Sequence, residues 1–491
     1  MIKENYKKCV IIGAGISGIA AAIRMRNKGF SVDVYEANSF PGGKLSTESS
    51  RGYRFDMGPS VFTMPAYVDE LFELSGKDPR GFFNYTQLNP VYHYFFEDGT
   101  SLDAFHGKEQ FATEMSKKTI DNKAAILKYL DKSELIYNLT ADVFLQNSLH
   151  KIKNYFTRQV AKGLWNFGKI GAFDTMNGAN EKAFKDPRLV QIFNRYATYN
   201  GSSPYLSPAT LNVIPNVEIV KGAYYPVGGM FSITSSLVRL AVDIGVQFHF
   251  SAPVREILIK NKMAAGIRTD KDELQFDVVI SNMDIYNCYQ KLMPMAKKPL
   301  RILNQPKSSS GIIFYWGIKT SFKQLGLHNI LFSENYREEF ESIFKEKTIY
   351  SDPTIYLNIT SKLTPADAPP GCENWFTFIN VPNNSGQDWD LLISKTRENI
   401  IKKINRVLKT DLAPFIETEM VFDPRVIESR TSSAFGAIYG NSSNNKFAAF
   451  LRHANFSKEL KNLYFCGGSV HPGPSIPLCL LSAKITTGLV K

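Results

Sequence analysis

The chain has 491 residues, 44% hydrophobic and 13% aromatic, more than one core ordinarily organises, so two domains are the starting expectation. Five scattered cysteines with no CxxC pair exclude a disulfide framework and a zinc ribbon and favour a reducing compartment. The net charge of +12 calls for an anionic partner, yet no nucleic-acid recognition motif accompanies it, no run of about eighteen apolar residues could span a bilayer, and no leader is expected before the first strand.

From the N-terminus, Val10-Ile11-Ile12 predicts a buried strand running into Gly13-Ala14-Gly15-Ile16-Ser17-Gly18. A helix is expected over 16–29, and a second strand, Val32-Asp33-Val34-Tyr35, closes on Glu36. Glycines at 13 and 15 let the chain turn sharply and approach a pyrophosphate, while Gly18 lets helix and strand pack closely. The helix N-terminus offers free N–H groups to the anion. A carboxylate at the second strand's tip, Glu36, is placed for ribose hydroxyls. This is a dinucleotide site, and it fixes the chemistry as redox. With one such motif visible, separate NAD use is not expected.

A glycine-rich loop, Pro41-Gly42-Gly43-Lys44, follows, and residues 85–214 then read as largely helical. Within them, 151–170 hold Lys151, Lys153, Arg158, Lys162 and Lys169, no acid, and interleaved Tyr155, Phe156, Leu164, Trp165 and Phe167. Such a segment reads either as an amphipathic helix packed on its own domain or as a basic helix lying in a lipid headgroup layer. A glycine–proline stretch at 222–230 opens a helix to about residue 244, and strands are expected near 246–250, 254–259, 264–269 and 277–282. Apolar and polar residues alternate at Ser310–Ile318 and Trp375–Val381, which read as sheet. Leu463-Tyr464-Phe465 is one more buried strand, ending at Cys466-Gly467-Gly468. The expected organisation is a discontinuous nucleotide-binding domain of 1–84, 215–295 and 441–491, a helical insert of 85–214 with a membrane-associating face, and a substrate-domain sheet of 296–440.

Together these blocks resemble the bacterial carotenoid desaturases, the phytoene-desaturase-type flavoproteins related to amine oxidases. The likeness spans nearly the whole chain. It continues from the N-terminal motif through Gly52-Tyr53-Arg54-Phe55-Asp56-Met57-Gly58-Pro59-Ser60 and through Tyr196-Ala197-Thr198-Tyr199-Asn200-Gly201, with Ser207-Pro208-Ala209-Thr210 beyond it. It takes in 222–230 and ends with Ser469-Val470-His471-Pro472-Gly473-Pro474-Ser475-Ile476-Pro477. One departure stands out: the family usually carries a glycine near 475, where this chain has a stiffer Pro474-Ser475 that also offers a hydroxyl.

The resemblance implies an α/β fold, with an FAD-binding Rossmann-like domain of the amine-oxidase and glutathione-reductase type, an inserted α+β substrate domain and a helical membrane-associating part. FAD is the implied cofactor, bound non-covalently, although Cys466 and Cys479 stay open as attachment points. Gly13, Gly15 and Gly18 would cradle the pyrophosphate and Glu36 the ribose. Gly43 and Lys44 would lie near the pyrophosphate or flavin, and Gly58, Pro59 and Ser60 beneath the isoalloxazine ring. Val254 would meet the adenine edge, and Gly467 and Gly468 the ribitol and pyrophosphate. Ile476 and Pro477 would open a helix whose N-terminus faces the flavin's pyrimidine oxygen.

The implied reaction is desaturation of a polyene. Hydride leaves a carbon beside the conjugated system for flavin N5, and loss of a proton from its neighbour makes the double bond. Water or reduced flavin would take that proton. His471 and Lys221 are the polar groups to watch near the ring, each also readable as a turn residue, and no base is assigned. The 1-hydroxycarotenoid 3,4-desaturase branch is the nearer likeness, and it implies a polar group deep in the tunnel, such as Tyr199 or Asn200, for a terminal hydroxyl. Multi-step phytoene or C30 desaturation and redox-neutral isomerisation stay open. A flavin amine oxidase and a non-enzymatic flavin-binding membrane protein are remoter. The substrate would arrive from lipid, so peripheral attachment to the cytoplasmic face of the inner membrane is expected.

Overall fold

The computed structural model describes residues 6–144, 148–151, 174–445, 448 and 451–491. Five parallel strands form one sheet, in the order Gln247–His249, Ser31–Tyr35, Lys8–Ile12, Val278–Ser281 and Leu463–Phe465. Along its central strand, successive side chains enter different cores. Cys9 and Ile11 pack with Ala20, Ile23 and Leu480 on one face, and Val10 and Ile12 with Ile257, Ile267 and Tyr289 on the other. Both faces are covered, so the strand is a continuous apolar run rather than an alternating one. Ile12 pairs with Tyr35 on one side and Ser281 on the other. This register brings Gly13, Glu36 and Asn282, one residue beyond each, to the same edge. Helix Ile16–Asn27 lies against the C-terminal helix Ile476–Leu489, and its fully buried Ala20, Ala21 and Ala22 let the two approach closely.

A second sheet has seven strands, in the order Ile416–Phe422, Ser310–Ile318, Glu373–Val381, Ile355–Asn358, His328–Leu331, Tyr92–Phe95 and Ser101–Ala104. Its pairings are antiparallel except that of His328–Leu331 with Tyr92–Phe95. Two points differ from the sequence reading. The helical stretch opens with strands: Tyr85–Gln87 comes first, and Tyr92–Phe95 and Ser101–Ala104 form a hairpin within the second sheet. Asp98-Gly99, with Gly99 at φ +81°, is the turn signal that marks it. Ser310–Ile318 is a strand, but every residue in it is buried, because Ile312, Phe314 and Trp316 fill one core while Ile313 and Tyr315 fill another. Helices Lys108–Lys118, Lys123–Phe144, Met176–Ala183 and Pro187–Asn194 follow the hairpin. Residues 152–170 of the basic aromatic segment lie outside the described residues. Among the described residues, no helix is long and apolar enough to cross a membrane.

Candidate active site

A cavity of about 1220 Å³ is lined from both sheets. Gly13, Gly15, Glu36, Gly43, Lys44, Gly58, Pro59, Ser60, Val254, Gly468, His471, Ile476 and Pro477 all line it. Gly18 and Gly467 do not; they pack behind the wall around Asn282. A Cβ on Gly18 would stand 2.1 Å from the Gly13 carbonyl, and one on Gly467, at φ +117°, would stand 2.6 Å from Asn282 Nδ2. Asn282 Oδ1 accepts from the Gly18 N–H at 3.1 Å, and its Nδ2 donates to the Cys466 carbonyl at 3.2 Å. One amide thus clamps the first glycine turn to the last strand, a role the sequence reading missed because Asn282 merely follows an apolar run. Lys221 lies elsewhere. It is exposed, and its ammonium sits 4.4 Å from the centre of the Tyr137 ring.

Glu36 is already engaged. Its Oε2 accepts from the Ala14 N–H at 2.7 Å and its Oε1 from Asn38 N and Nδ2, both at 2.9 Å. Oε2, with one bond, keeps further acceptor capacity, so the residue fixes the turn and still presents an acceptor to the cavity it lines. The N-terminus of helix Ile16–Asn27 has no capping side chain and no acid in its first turn, which leaves it suited to an anion.

Two cations line the cavity, Arg452 buried and Lys44 half-buried. Lys44 Nζ donates to the Ile438 carbonyl at 2.5 Å; burial lowers its pKa, and the nearby Asp284 opposes that. Asp284 is itself pushed up by burial, with Lys44 acting against it. Burial brings the Arg452 guanidinium down to about 10, and the side chain lies so close over Gly473 that a Cβ there would be 3.1 Å from its Nε. No motif marks Arg452 or Asp284. Both cations act on Cys479, whose thiol burial still raises to about 11; burial lifts Cys466 to about 12. Both thiols stay protonated near neutral pH and are poor nucleophiles.

Ser475 explains the departure from the family glycine. It sits at φ +127°, ψ 163° and, as N-cap of Ile476–Leu489, accepts from the Leu478 N–H at 3.3 Å. The backbone there has kept the glycine conformation while the side chain supplies a cap.

A buried polar cluster lines the same cavity beyond Ser60. Tyr356 bonds through its hydroxyl to Ser60 Oγ and to His328 Nδ1, both at 2.8 Å. Burial and the Arg195 charge push His328 down to about 3, so the ring is neutral. Glu218 Oε1 accepts from Arg195 Nη2 at 3.0 Å and from Tyr196 at 2.7 Å, and its Oε2 accepts from Tyr199. Tyr92 and Tyr199 hydroxyls are 2.9 Å apart, and the Arg195 guanidinium lies 4.4 Å from the Tyr92 ring centre. Of the two sequence candidates for this end, Tyr199 is inside the cluster and Asn200 lies on the cavity wall beside it.

The sequence profile described as flavin containing amine oxidoreductase matches residues 16–490. The chain belongs to this family. It is 50% identical over 484 residues to a 1-hydroxycarotenoid 3,4-desaturase of Flavobacterium sp., covering 99% of each chain. It is 32% identical over 502 residues to a 4,4'-diapolycopene oxygenase of Methylomonas sp., covering 99% of this chain and 98% of that one. Among solved structures, a cyclohexylamine oxidase of Brevibacterium oxydans aligns with TM-score 0.62 at 15% identity, covering 98% of both chains. An oxidoreductase of Methanosarcina mazei aligns with TM-score 0.62 at 16% identity, over 97% of this chain and 99% of that one. At such identities these two share the fold alone.

FAD is therefore the cofactor of this amine oxidoreductase family member, and the donor set fits it. An uncapped helix N-terminus and two desolvated cations suit a diphosphate, while Glu36 suits a ribose and the Gly58–Ser60 loop can back a flat ring.

Proposed function

We propose that the chain is an FAD-dependent carotenoid desaturase that introduces the 3,4 double bond into a carotenoid bearing a hydroxyl at C1. The cavity carries this reading. It joins the glycine-rich turn to apolar walls of Leu211, Ile214, Ile330, Phe376 and Phe378, with a polar cluster beside Ser60. The near-full-length likeness to the Flavobacterium desaturase supports it.

Bound FAD supplies the hydride acceptor. The chain's residues position the polyene and exclude water. Loss of hydride beside the conjugated system leaves a cation that the polyene delocalises, so the proton that follows needs no strong base. Neither His471, buried in its turn, nor Lys221 is assigned that role. On this reading Gly13, Gly15, Gly18, Gly467, Gly468 and Lys44 surround the diphosphate and ribitol, Glu36 the ribose and Val254 the adenine. Gly58, Pro59 and Ser60 back the ring, and Ile476 and Pro477 aim their helix at it.

Residues 1–84, 215–295 and 441–491 then serve the flavin and 296–440 the substrate. The insert 85–214 meets the cytoplasmic face of the inner membrane through its basic aromatic segment. The net charge of +12 and the need to take a water-insoluble polyene from lipid support that placement.

The test is FAD-loaded protein in liposomes with phytoene, a monocyclic carotene and its 1′-hydroxy derivative, read by chromatography with absorbance and mass detection. A red-shifted product two hydrogens lighter, from the hydroxylated substrate alone, is expected. Successive losses from phytoene would mean a multi-step desaturase, and isomer shifts without mass change an isomerase.

A further inference from the structure

We infer that the Arg195–Glu218 pair, with Glu218 held by Tyr199, binds the substrate's C1 hydroxyl and so decides which end of the polyene reaches the flavin. The inference rests on the 3,4-desaturase reading and adds the residues that enforce it.

Chemistry sets where such a site must be. An oxygen on C1 is separated from C3 and C4 by only a few bonds, so it lies within about 5 Å of both reacting carbons. The hydroxyl must therefore be met beside the ring seat, not at the far end of a long tunnel. The cluster adjoins that seat. Tyr356 bonds to Ser60 at 2.8 Å, its ring centre is 6.5 Å from that of Tyr92, and Tyr92 reaches Tyr199 at 2.9 Å. Ser60, Tyr92, Arg195, Tyr199, Glu218 and Tyr356 all line the one cavity.

Hydrogen-bond accounting then selects the ligand group. Tyr199 gives its proton to Glu218, so Tyr92 donates to Tyr199 and neither phenol has a proton to spare. What the ion pair still offers, among the described residues, is donors on Arg195, whose hydrogen bonds all leave from Nη2, and one acceptor on Glu218. Arg195 is 5% exposed, and its Nε–H, wholly buried, has no hydrogen-bond partner among the described residues. Glu218 Oε2 takes one bond where a carboxylate oxygen can take two. A carbinol is both acceptor and donor and completes both. A keto group answers only the donor, and a hydrocarbon end answers neither and leaves the buried charges unsolvated. A buried ion pair in the wall of a hydrocarbon cavity is weakly justified by stability alone, and hydroxyl recognition gives it a use.

The test compares a 1-hydroxylated polyene with its 1-deoxy analogue, using FAD-loaded enzyme in liposomes. kcat/KM comes from product mass and binding from quenching of flavin fluorescence. A site built around a substrate hydroxyl rejects the analogue lacking it strongly, so the wild-type ratio is expected to exceed about a hundredfold in turnover. Tyr199→Phe keeps the ring and removes the hydroxyl that holds Glu218 in place; its ratio is expected to fall at least about tenfold, in binding as in turnover. The paired Arg195→Met, Glu218→Leu variant removes both charges together, which avoids leaving one unpaired, and its ratio is expected to fall to near one or invert. FAD content and melting temperature identify misfolded variants. The inference is overturned if folded variants keep the wild-type ratio, or if the wild type prefers neither substrate. Wild-type turnover of neither would sink the desaturase reading as well, so the two failures are distinguishable.

Discussion

Ser475 tests how the chain holds the loop above its C-terminal helix. Its φ of +127° with ψ 163° falls in a region that only glycine enters freely, at a cost of about 1–3 kcal/mol for other residues. Ser475→Gly removes that strain. It forfeits the 3.3 Å bond from Leu478, but glycine is nearly as good an N-cap and the loss is about a few tenths of a kcal/mol. It also loosens the unfolded chain, which costs about 0.4–1 kcal/mol. The balance favours glycine by about 1 kcal/mol. Ser475→Ala retains the strain and loses the cap, so it should be destabilised by about 1 kcal/mol. Over 491 residues the unfolding entropy is about 1 kcal/mol per degree. Thermal melts of the FAD-loaded proteins should therefore rank glycine about 1 °C above wild type and alanine about 1 °C below. An alanine variant that melts above the glycine variant would refute the reasoning, because strain would then not be stored at this residue.

Asn282→Leu should weaken FAD binding by about tenfold or more, measured by titration of the apoprotein with flavin, because it strands the Gly18 N–H and frees the last strand from the glycine turn. Unchanged affinity would show that the clamp is dispensable. Arg452→Met should move two readouts in opposite directions. FAD affinity is expected to fall about tenfold, while the apoprotein's melting temperature holds or rises as a desolvated charge disappears. A parallel fall in both would make Arg452 a structural residue only. Glu339 should shape the pH dependence of stability. Burial raises its carboxyl to about 7 from 4.5, against hydrogen bonds from Thr354 and the charge of Lys403, with Asp352 adding to the rise. The native state therefore holds this proton more tightly than the unfolded state. Its contribution, about 3 kcal/mol at most, is complete below pH 4.5 and is lost as pH rises through 7. Glu339→Gln should flatten the decline in melting temperature between about pH 5 and 7, and a slope equal to wild type would refute the assignment.

The flavin end was legible in the sequence because its requirements are local. A turn that must bend sharply at a helix N-terminus dictates Gly13, Gly15 and Gly18 within six residues, and a strand buried on both faces dictates the apolar run before them. The same holds for Glu36 at the next strand's tip and for the glycine pair after Phe465. The hairpin at Tyr92–Phe95 was hidden because its strands are short and its Asp-Gly turn lies inside a stretch rich in helix formers.

What only the tertiary structure decided is the company these residues keep. Asn282 reaches Gly18 across 264 residues, Lys44 meets the carbonyl of Ile438, 394 residues away, and Tyr356 reaches Ser60 across 296. Arg195, Glu218 and Tyr199 are close in sequence, yet Tyr92 comes from a strand 107 residues before Tyr199. Periodicity reports which face of an element is buried. It carries no record of which other element supplies the hydrogen-bond partner, because that depends on sheet order and register. The glycine motif therefore declared the cofactor, and the packing of the two sheets made the polar cluster beside it.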